Sequence, residues 1–158
     1  MKKFNWRIFL PLLILTEGVG ALAGWLSAEG MELYQAAAVK PPLSPPGWVF
    51  GVVWPILYAL MALSAARIWC APASRERTLA LGLFFAQLAV NFVWPLIFFE
   101  LMWFAPALLW LIALWALVLW MTAAFEKLDS TAAWLQTPYL AWLTFAVYLN
   151  FAAWFLNR

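Results

Sequence analysis

The chain has 158 residues, of which 68% are apolar and only 10% are charged, and its formal net charge is +2. A soluble globular domain does not carry so few charges, so this composition indicates a bundle of helices embedded in lipid. A spanning helix needs roughly 20 mostly apolar residues, which leaves room for five spans and short loops in one domain. The few basic residues lie near predicted helix ends, and we expect no nucleic-acid partner.

Histidine is absent from the sequence, and Cys70 is its one cysteine. A zinc site, a Ser-His-Asp triad or a Cys-His dyad therefore cannot be assembled within this chain. Haem ligation by histidine is excluded as well, although tyrosine, methionine or cysteine ligands stay open. We expect no metal and no required cofactor. If a tetrapyrrole such as haem were bound, side chains would contact the faces of its ring and would not ligate its metal.

Five apolar segments, separated by prolines and charges, predict an all-α protein with transmembrane helices at about 6–27, 47–70, 78–99, 103–125 and 132–156. The first segment has the features of a signal peptide, with basic residues ahead of it and the cleavage-like sequence Ala21-Leu22-Ala23. Because the apolar stretch continues to about Ala28, we expect a permanent first helix. The second span is expected to follow a loop that contains Glu29, Glu32, Lys40 and four prolines.

The basic residues are distributed unequally between the two sides of the predicted bundle. One side, with the N-terminus and the second and fourth loops, carries Lys2, Lys3, Arg7, Arg67, Arg75, Arg77 and Lys127. The other side carries only Lys40 and Arg158. By the positive-inside rule, the N-terminus is expected in the cytoplasm if this is a bacterial inner membrane, and a bacterial membrane is the expected location.

Tryptophan is unusually frequent, with 13 in the chain. Membrane interfaces are enriched in this residue, and seven tryptophans are expected to be such anchors: Trp6, Trp25, Trp48, Trp69, Trp103, Trp134 and Trp154. Five lie deeper, where packing or a ligand is the usual reason for so large a ring: Trp54, Trp94, Trp110, Trp115 and Trp142.

Two of the deep tryptophans belong to a short echo, Trp54-Pro55 in the second predicted helix and Trp94-Pro95 in the third. Because these helices run antiparallel, both pairs are expected within ~12 Å of the same membrane boundary. Each proline also leaves a carbonyl four residues earlier, on Gly51 or Asn91, without its usual partner. The echo indicates either structural kinks or the wall of a shared cavity.

Polar and small residues follow helical spacing beside these tryptophans. Gln87 and Asn91 share a stripe with Trp94 in the third helix, and the fifth helix repeats the pattern with Trp142, Ala146, Leu149 and Asn150. Amides in membranes often bond between helices. Together with the aromatic rings and the proline-rich first loop, they predict a ligand pocket under that loop.

Glu17 is the only acid well inside a predicted span, and such a residue is a functional hypothesis by default. It is expected to be a protonated structural carboxyl, a proton relay or a cation ligand. Gly82 and Ala86 put small residues four apart in the third helix, at the spacing that allows two helices to approach closely. That stripe packs either inside the monomer or against a second copy.

Three motifs carry a resemblance to a known family. The first is Lys40-Pro41-Pro42-Leu43-Ser44-Pro45-Pro46-Gly47-Trp48-Val49-Phe50, followed by Val53-Trp54. The second runs from Gln87 to Trp94, and the third is Pro138-Tyr139-Leu140-Ala141-Trp142 with Tyr148-Leu149-Asn150. In this order they make nearly the whole chain resemble the TspO/MBR family, which includes tryptophan-rich sensory proteins and the mitochondrial translocator protein.

The resemblance implies a five-helix bundle, often a homodimer, whose pocket lies beneath the first loop and accepts porphyrins and synthetic benzodiazepine-site ligands. The family's pocket positions fall on Tyr34, Trp54, Tyr58, Asn91, Trp94, Trp142, Ala146 and Leu149. Gln87 and Asn150 complete the predicted ligand-binding set. Trp54 and Trp142 match tryptophans associated in some members with light-dependent breakdown of protoporphyrin, which makes them the candidate catalytic residues.

Three functions follow from the resemblance. We expect a membrane receptor or sensor for tetrapyrroles; the alternatives are a porphyrin transporter that uses Glu17 and a light-dependent enzyme that degrades protoporphyrin. No ordinary acid-base or nucleophilic constellation supports turnover. The sequence also departs from the family, because Leu43 stands where many members have tryptophan and the sterol motif after Tyr148 lacks a nearby basic residue. Sterol binding is therefore not expected.

Overall fold

The computed structural model describes residues 5–158, and its regular elements are all helical. In chain order they are α1 Trp6–Leu26, α2 Ala28–Ala37, α3 Gly47–Trp69, α4 Arg75–Pro95, a π-helical turn Leu96–Glu100, α5 Phe104–Glu126, α6 Ser130–Trp134 and α7 Thr137–Leu156. Five segments are long and apolar enough to cross a membrane: Trp6–Leu26, Gly47–Trp69, Arg75–Glu100, Phe104–Glu126 and Ser130–Leu156. The prediction of an all-α, multi-pass membrane protein is confirmed.

Polar side chains at the loop boundaries begin several of the helices. The Oδ1 atom of Asn5 accepts from the Arg7 amide at 3.1 Å, and Ser74 Oγ accepts from the Arg77 amide at the same distance. Asp129 does the same for α6. Each cap satisfies an amide at the start of a helix that has no partner within it. Ser74 therefore begins α4 at Arg75, three residues before the predicted start.

The predicted first loop is only partly a loop, because it contains the ten-residue helix α2. Gly30 lets α2 lie directly on the π-helical turn, because a Cβ atom at this position would clash with the Phe99 carbonyl oxygen. The Gly30 amide also donates to Glu100 Oε2 at 3.2 Å. So short a helix is marginal by itself, and this backbone approach fixes it to the bundle.

The predicted fifth helix is interrupted, since α6 and α7 are separated by Leu135 and Gln136. Pro138 lies in the first turn of α7 and has no amide hydrogen to donate to the Trp134 carbonyl, so the hydrogen bonds of α6 do not continue through it. The third span also differs from the prediction, because it ends in the π-helical turn and the chain then reverses over residues 101–103, where Met102 has φ 51°.

Two ends of the bundle are distinguished by their contacts. At one end, which we call the α2 end, α2 packs on the π-helical turn. At the opposite end, the guanidinium of Arg67 pairs with the carboxylate of Asp129 at 3.0 Å, and the Asp129 side chain is only 8% exposed. Lys2 and Lys3, used above to orient the chain, lie outside the described residues. The side of the membrane for each end therefore stays a prediction.

The core consists of two groups of buried side chains. The larger fills the centre of the bundle, with Met61, Phe84, Val118 and Phe125 fully buried between helices. The smaller lies at the α2 end and gathers Tyr34, Phe98, Phe99, Ala107 and Ala153. The Tyr34 ring contacts three phenylalanine rings, with centroids 5.3 to 6.0 Å apart. This aromatic group forms the floor beneath α2 and positions the candidate site.

Candidate functional site

Residues 38–46, which we call the lid, join α2 to α3 and cover the α2 end of the bundle. Ser44 donates its amide to the Pro41 carbonyl at 3.2 Å, which closes a turn with Leu43 in its third position at φ 65°. Glycine is the usual residue there. The Leu43 side chain is 79% exposed, so it points away from the bundle interior.

Three hydrogen bonds from α7 and its C-terminus fasten the lid. The side-chain amide of Asn157 accepts from the Val39 amide at 2.8 Å and donates to the Val39 carbonyl at 2.9 Å. The Tyr148 hydroxyl donates to the Pro42 carbonyl at 3.0 Å. These contacts join residues more than 100 positions apart in sequence, so they hold the lid against the bundle independently of its own turn.

Beneath the lid is a small space, the lid cavity, with a volume of about 50 Å³. Its walls come from α2, the lid, α3, the end of α4 and α7: Met31, Tyr34, Gln35, Lys40, Ser44, Pro45, Phe50, Trp54, Trp94, Phe98, Phe99, Trp142, Ala146, Leu149 and Asn150. Seven of the ten predicted ligand-binding residues are in this wall. The structure thus brings together residues that the sequence placed on three different spans.

Aromatic rings dominate the lid cavity. Trp54 and Trp142 meet edge to face, with centroids 6.5 Å apart and planes at 84°, and Phe50 packs against Trp142 at 5.8 Å. On the opposite wall, Trp94 stacks on Phe98 at 5.0 Å. Rings arranged in this way offer faces and edges to a flat apolar molecule. Burial raises the pKa of the Tyr34 phenol, which keeps that ring uncharged.

A second and larger space, the side cavity, has a volume of about 430 Å³ and lies between α1, α3 and α4. Its walls are Glu17, Gly20, Ala21, Ala23, Gly24, Ser27, Met31, Gly47, Phe50, Gly51, Trp54, Pro55, Tyr58, Asn91, Trp94, Pro95 and Phe99. The two cavities are neighbours, since five residues belong to both walls: Met31, Phe50, Trp54, Trp94 and Phe99. The echoed Trp-Pro pairs therefore meet at one cavity.

The predicted amides lie in a chain of buried hydrogen bonds. Tyr58 donates to Asn91 Oδ1 at 2.9 Å, and Asn91 Nδ2 donates to the Tyr139 hydroxyl. Tyr139 in turn donates to Gln87 Oε1 at 2.9 Å. Gln87 is fully buried, its Nε2 atom donates to Met61 Sδ at 3.8 Å, and it lies in neither cavity wall. Its predicted direct contact with a ligand is not supported by this geometry.

The side-chain amide of Asn150 is also hydrogen-bonded to other residues of the bundle. Its Oδ1 atom accepts from Trp94 Nε1 at 3.1 Å, and its Nδ2 atom donates to the Phe104 carbonyl at 2.8 Å. The amide therefore fixes the position of the Trp94 ring in the wall shared by the two cavities.

The other deep tryptophans have a packing role. Trp110 donates to the Val90 carbonyl at 2.8 Å, and Trp115 donates to Thr144 Oγ1 at 3.0 Å. Neither residue lies in a cavity wall. Six of the seven tryptophans expected at the interfaces are exposed: Trp6, Trp25, Trp48, Trp69, Trp103 and Trp134. Of the five tryptophans predicted to lie far from the span ends, three are in a cavity wall.

The sequence did not predict several wall residues, and helical spacing could have found some of them. Phe50 is one turn before Trp54, and Met31 is three positions before Tyr34 on a helix that was not predicted. The side cavity was missed because its α1 wall is built largely from small residues, which carry no recognisable signal. Within residues 5–158, no group of three carboxyl or thiol side chains could hold a metal ion.

The known proteins that are similar to this chain all indicate the same family. The TspO/MBR family profile matches residues 12–155. The tryptophan-rich sensory protein of Cereibacter sphaeroides is 39% identical over 153 residues, covering 97% of this chain and 93% of that protein. The bovine (Bos taurus) translocator protein is 36% identical, covering 87% and 85%, and the tryptophan-rich protein TspO of Archaeoglobus fulgidus is 33% identical, covering 88% and 90%. The chain belongs to the TspO/MBR family.

Proposed function

We propose that this protein is a membrane receptor that senses porphyrins, and that it binds them and benzodiazepine-site ligands in the lid cavity. The observation that carries this proposal is the convergence of Tyr34, Trp54, Trp94 and Trp142 on one space beneath a fastened lid. A planar, largely apolar ring suits walls built from aromatic faces and edges. The relatives named as sensory and translocator proteins support a receptor role in a membrane.

The size of the lid cavity requires a movement. Pockets for drug-sized ligands usually have volumes of about 300–1,000 Å³, whereas the lid cavity has about 50 Å³. A tetrapyrrole therefore enters only if the lid, held by Asn157 and Tyr148, is displaced. The receptor would then exist in a closed state, as described here, and an open state that a ligand stabilises.

The charge at the rim favours an acidic porphyrin. Lys40 is the one basic residue in the lid-cavity wall, and it is exposed. Protoporphyrin carries two carboxylates on one edge of its ring, so the apolar edge would face Trp142 and the carboxylates would face Lys40. Since both polar ends of Asn150 are bonded to the protein, stacking supplies most of the affinity in this arrangement.

A titration of protoporphyrin into protein in nanodiscs tests the proposal, with porphyrin absorbance as the readout. Saturable binding is expected, weakened about two- to tenfold in Trp142→Phe, because an aromatic pair contributes about 0.5–1.5 kcal/mol. Trp134→Phe is the matched control, since Trp134 is exposed and lies in neither cavity. Binding that does not saturate, or that is equal in all three proteins, would contradict the proposal.

The contact between Trp54 and Trp142 keeps a second function open, the light-dependent degradation of protoporphyrin. Under light and oxygen, the porphyrin absorbance of the wild-type complex is then expected to fall and new bands to appear. The double variant Trp54→Phe/Trp142→Phe should slow this loss strongly. An equal rate in both proteins, after correction for bound porphyrin, would exclude these rings as the electron donors. Transport stays a prediction from the sequence.

We also propose a homodimer through α4. Gly82 and Ala86 are exposed, and a Cβ atom at Gly82 would meet nothing within 4 Å, so this stripe does not pack inside the monomer. A Gly82→Leu change should convert a detergent-solubilised dimer to a monomer by light scattering. A dimer of unchanged mass would place the interface elsewhere.

The location proposed for the chain is a bacterial membrane, with a cytoplasmic N-terminus if this is the inner membrane. Its support is the cluster of basic residues at the end of the bundle opposite α2: Arg7, Arg67, Arg75, Arg77 and Lys127. A reporter enzyme that works only outside the cytoplasm should then be active when it is fused after Arg158.

A further inference from the structure

The side cavity contains an acidic group that the proposed porphyrin function does not use. Glu17 is the only carboxyl in its wall, which is otherwise made of small, apolar and aromatic residues with the neutral polar Ser27, Tyr58 and Asn91. Acidic side chains inside membrane spans are costly, and they usually belong to a functional site. Glu17 therefore requires an explanation from its surroundings.

Those surroundings offer the carboxyl no partner. In the described part of the chain, Glu17 makes no hydrogen bond and no ion pair, and no lysine or arginine lines the side cavity. The Tyr58 hydroxyl, which lines the same cavity, donates to Asn91 instead. A cation that approaches such a half-buried, unpartnered carboxyl favours its ionised form and becomes its counter-charge.

Two backbone carbonyls at the side cavity add acceptors to the Glu17 carboxyl. Pro55 and Pro95 have no amide hydrogen, so the carbonyls of Gly51 and Asn91 lose their usual helical partners, and all four residues line the cavity. The rings of Trp54 and Trp94 add the attraction that aromatic faces have for cations. A ligand that complements this wall carries a positive charge and N–H donors.

The shape of the cavity indicates how such a ligand would enter. The exposed members of its wall are Ala21 and Gly24 on α1 and Gly47, Gly51 and Pro55 on α3. Its mouth thus lies between α1 and α3, at the depth of the bilayer. The volume of about 430 Å³ is within the range of drug-sized ligands. Entry from lipid requires a molecule that is mostly apolar.

We infer that the side cavity binds lipophilic primary or secondary amines, with the ammonium group paired to the Glu17 carboxylate and the apolar part against Trp54 and Trp94. The site adjoins the porphyrin site, because the two cavities share part of their walls, but Glu17 and the α1 wall belong to the side cavity alone. It adds a second ligand class of opposite charge to the one proposed for the lid cavity.

The test compares naphthylethylamine with naphthylethanol, which replaces the ammonium by a neutral hydroxyl, in phosphatidylcholine nanodiscs by equilibrium dialysis. After subtraction of empty nanodiscs, wild-type protein should bind the amine about tenfold or more tightly than the alcohol, as expected for a charged hydrogen bond. Glu17→Gln keeps the side-chain shape and should remove this preference. Glu29→Gln, an exposed acid outside the cavity, should keep it.

A second variant tests the cavity itself. A Cβ atom at Gly24 would meet nothing within 4 Å, so Gly24→Leu extends into open space and should block both probes without disturbing the helix. Equal binding of amine and alcohol by the wild type, or an unchanged preference in Glu17→Gln, would overturn the inference. Protoporphyrin titrated into the same nanodiscs reports separately on the lid cavity.

Discussion

The hydrogen bonds that hold the lid closed should control how fast protoporphyrin binds. Asn157→Ala removes both hydrogen bonds to Val39, and Tyr148→Phe removes the bond to the Pro42 carbonyl. A net hydrogen bond contributes about 0.5–1.5 kcal/mol, and exposed bonds such as these are expected at the lower end of that range. Asn157→Ala should therefore destabilise the closed lid by about 1–2 kcal/mol, and Tyr148→Phe by about half as much.

These energies convert into rates. If only the open state admits protoporphyrin, the association rate is proportional to the open fraction. A change of about 1–2 kcal/mol raises that fraction about 5- to 30-fold while the closed state still dominates. In stopped-flow quenching of tryptophan fluorescence, the association rate should thus be lowest for the wild type, higher for Tyr148→Phe and highest for Asn157→Ala.

The two variants control for each other. Asn157 also donates to the Ala153 carbonyl at 2.8 Å, so its removal loosens the end of α7, whereas Tyr148→Phe leaves that helix end intact. An Asn157→Ala rate within twofold of the wild type, in a protein that unfolds at the same temperature, would refute the idea that lid opening limits binding.

Three further predictions concern residues around the cavities. Asn91→Ala leaves the buried Tyr58 hydroxyl without its acceptor and should lower the free energy of unfolding by about 1–3 kcal/mol. Thermal unfolding should show a smaller loss when Asn91→Ala is made in a protein that already carries Tyr58→Phe. Additive losses in the double variant would contradict the network. Gly30→Ala forces a Cβ against a carbonyl of the π-helical turn and should cost about 1–3 kcal/mol, unlike Gly24→Ala, which meets open space. Lys40→Gln should weaken protoporphyrin about two- to fivefold, as for an exposed ion pair, and should leave its neutral dimethyl ester unaffected.

Much of this architecture is readable from local sequence. The five spans are apolar segments of sufficient length, and that property does not depend on how the segments pack. Helical spacing likewise placed Trp142, Ala146, Leu149 and Asn150 on one face of the last span, and the antiparallel order of helices brought Trp54 and Trp94 to the same end. These predictions succeeded because periodicity and direction follow from the covalent chain alone.

Tertiary structure decided which polar groups are available to a ligand. Gln87, Asn91 and Asn150 looked equivalent in the sequence. In the structure all three amides bond within the bundle, but Asn150 lines the lid cavity, Asn91 lines the side cavity and Gln87 lines neither. The number of partners that an amide finds depends on side chains from other helices, which a periodicity cannot identify.

The sequence by itself thus determined a five-span membrane bundle with an aromatic site at one end. Only the tertiary structure decided that α2 forms within the first loop, because Gly30 allows it to lie on the backbone of the π-helical turn. Only the tertiary structure opened the side cavity around Glu17, because the missing side chains of Gly24 and Gly51 become space when α1 and α3 are placed side by side.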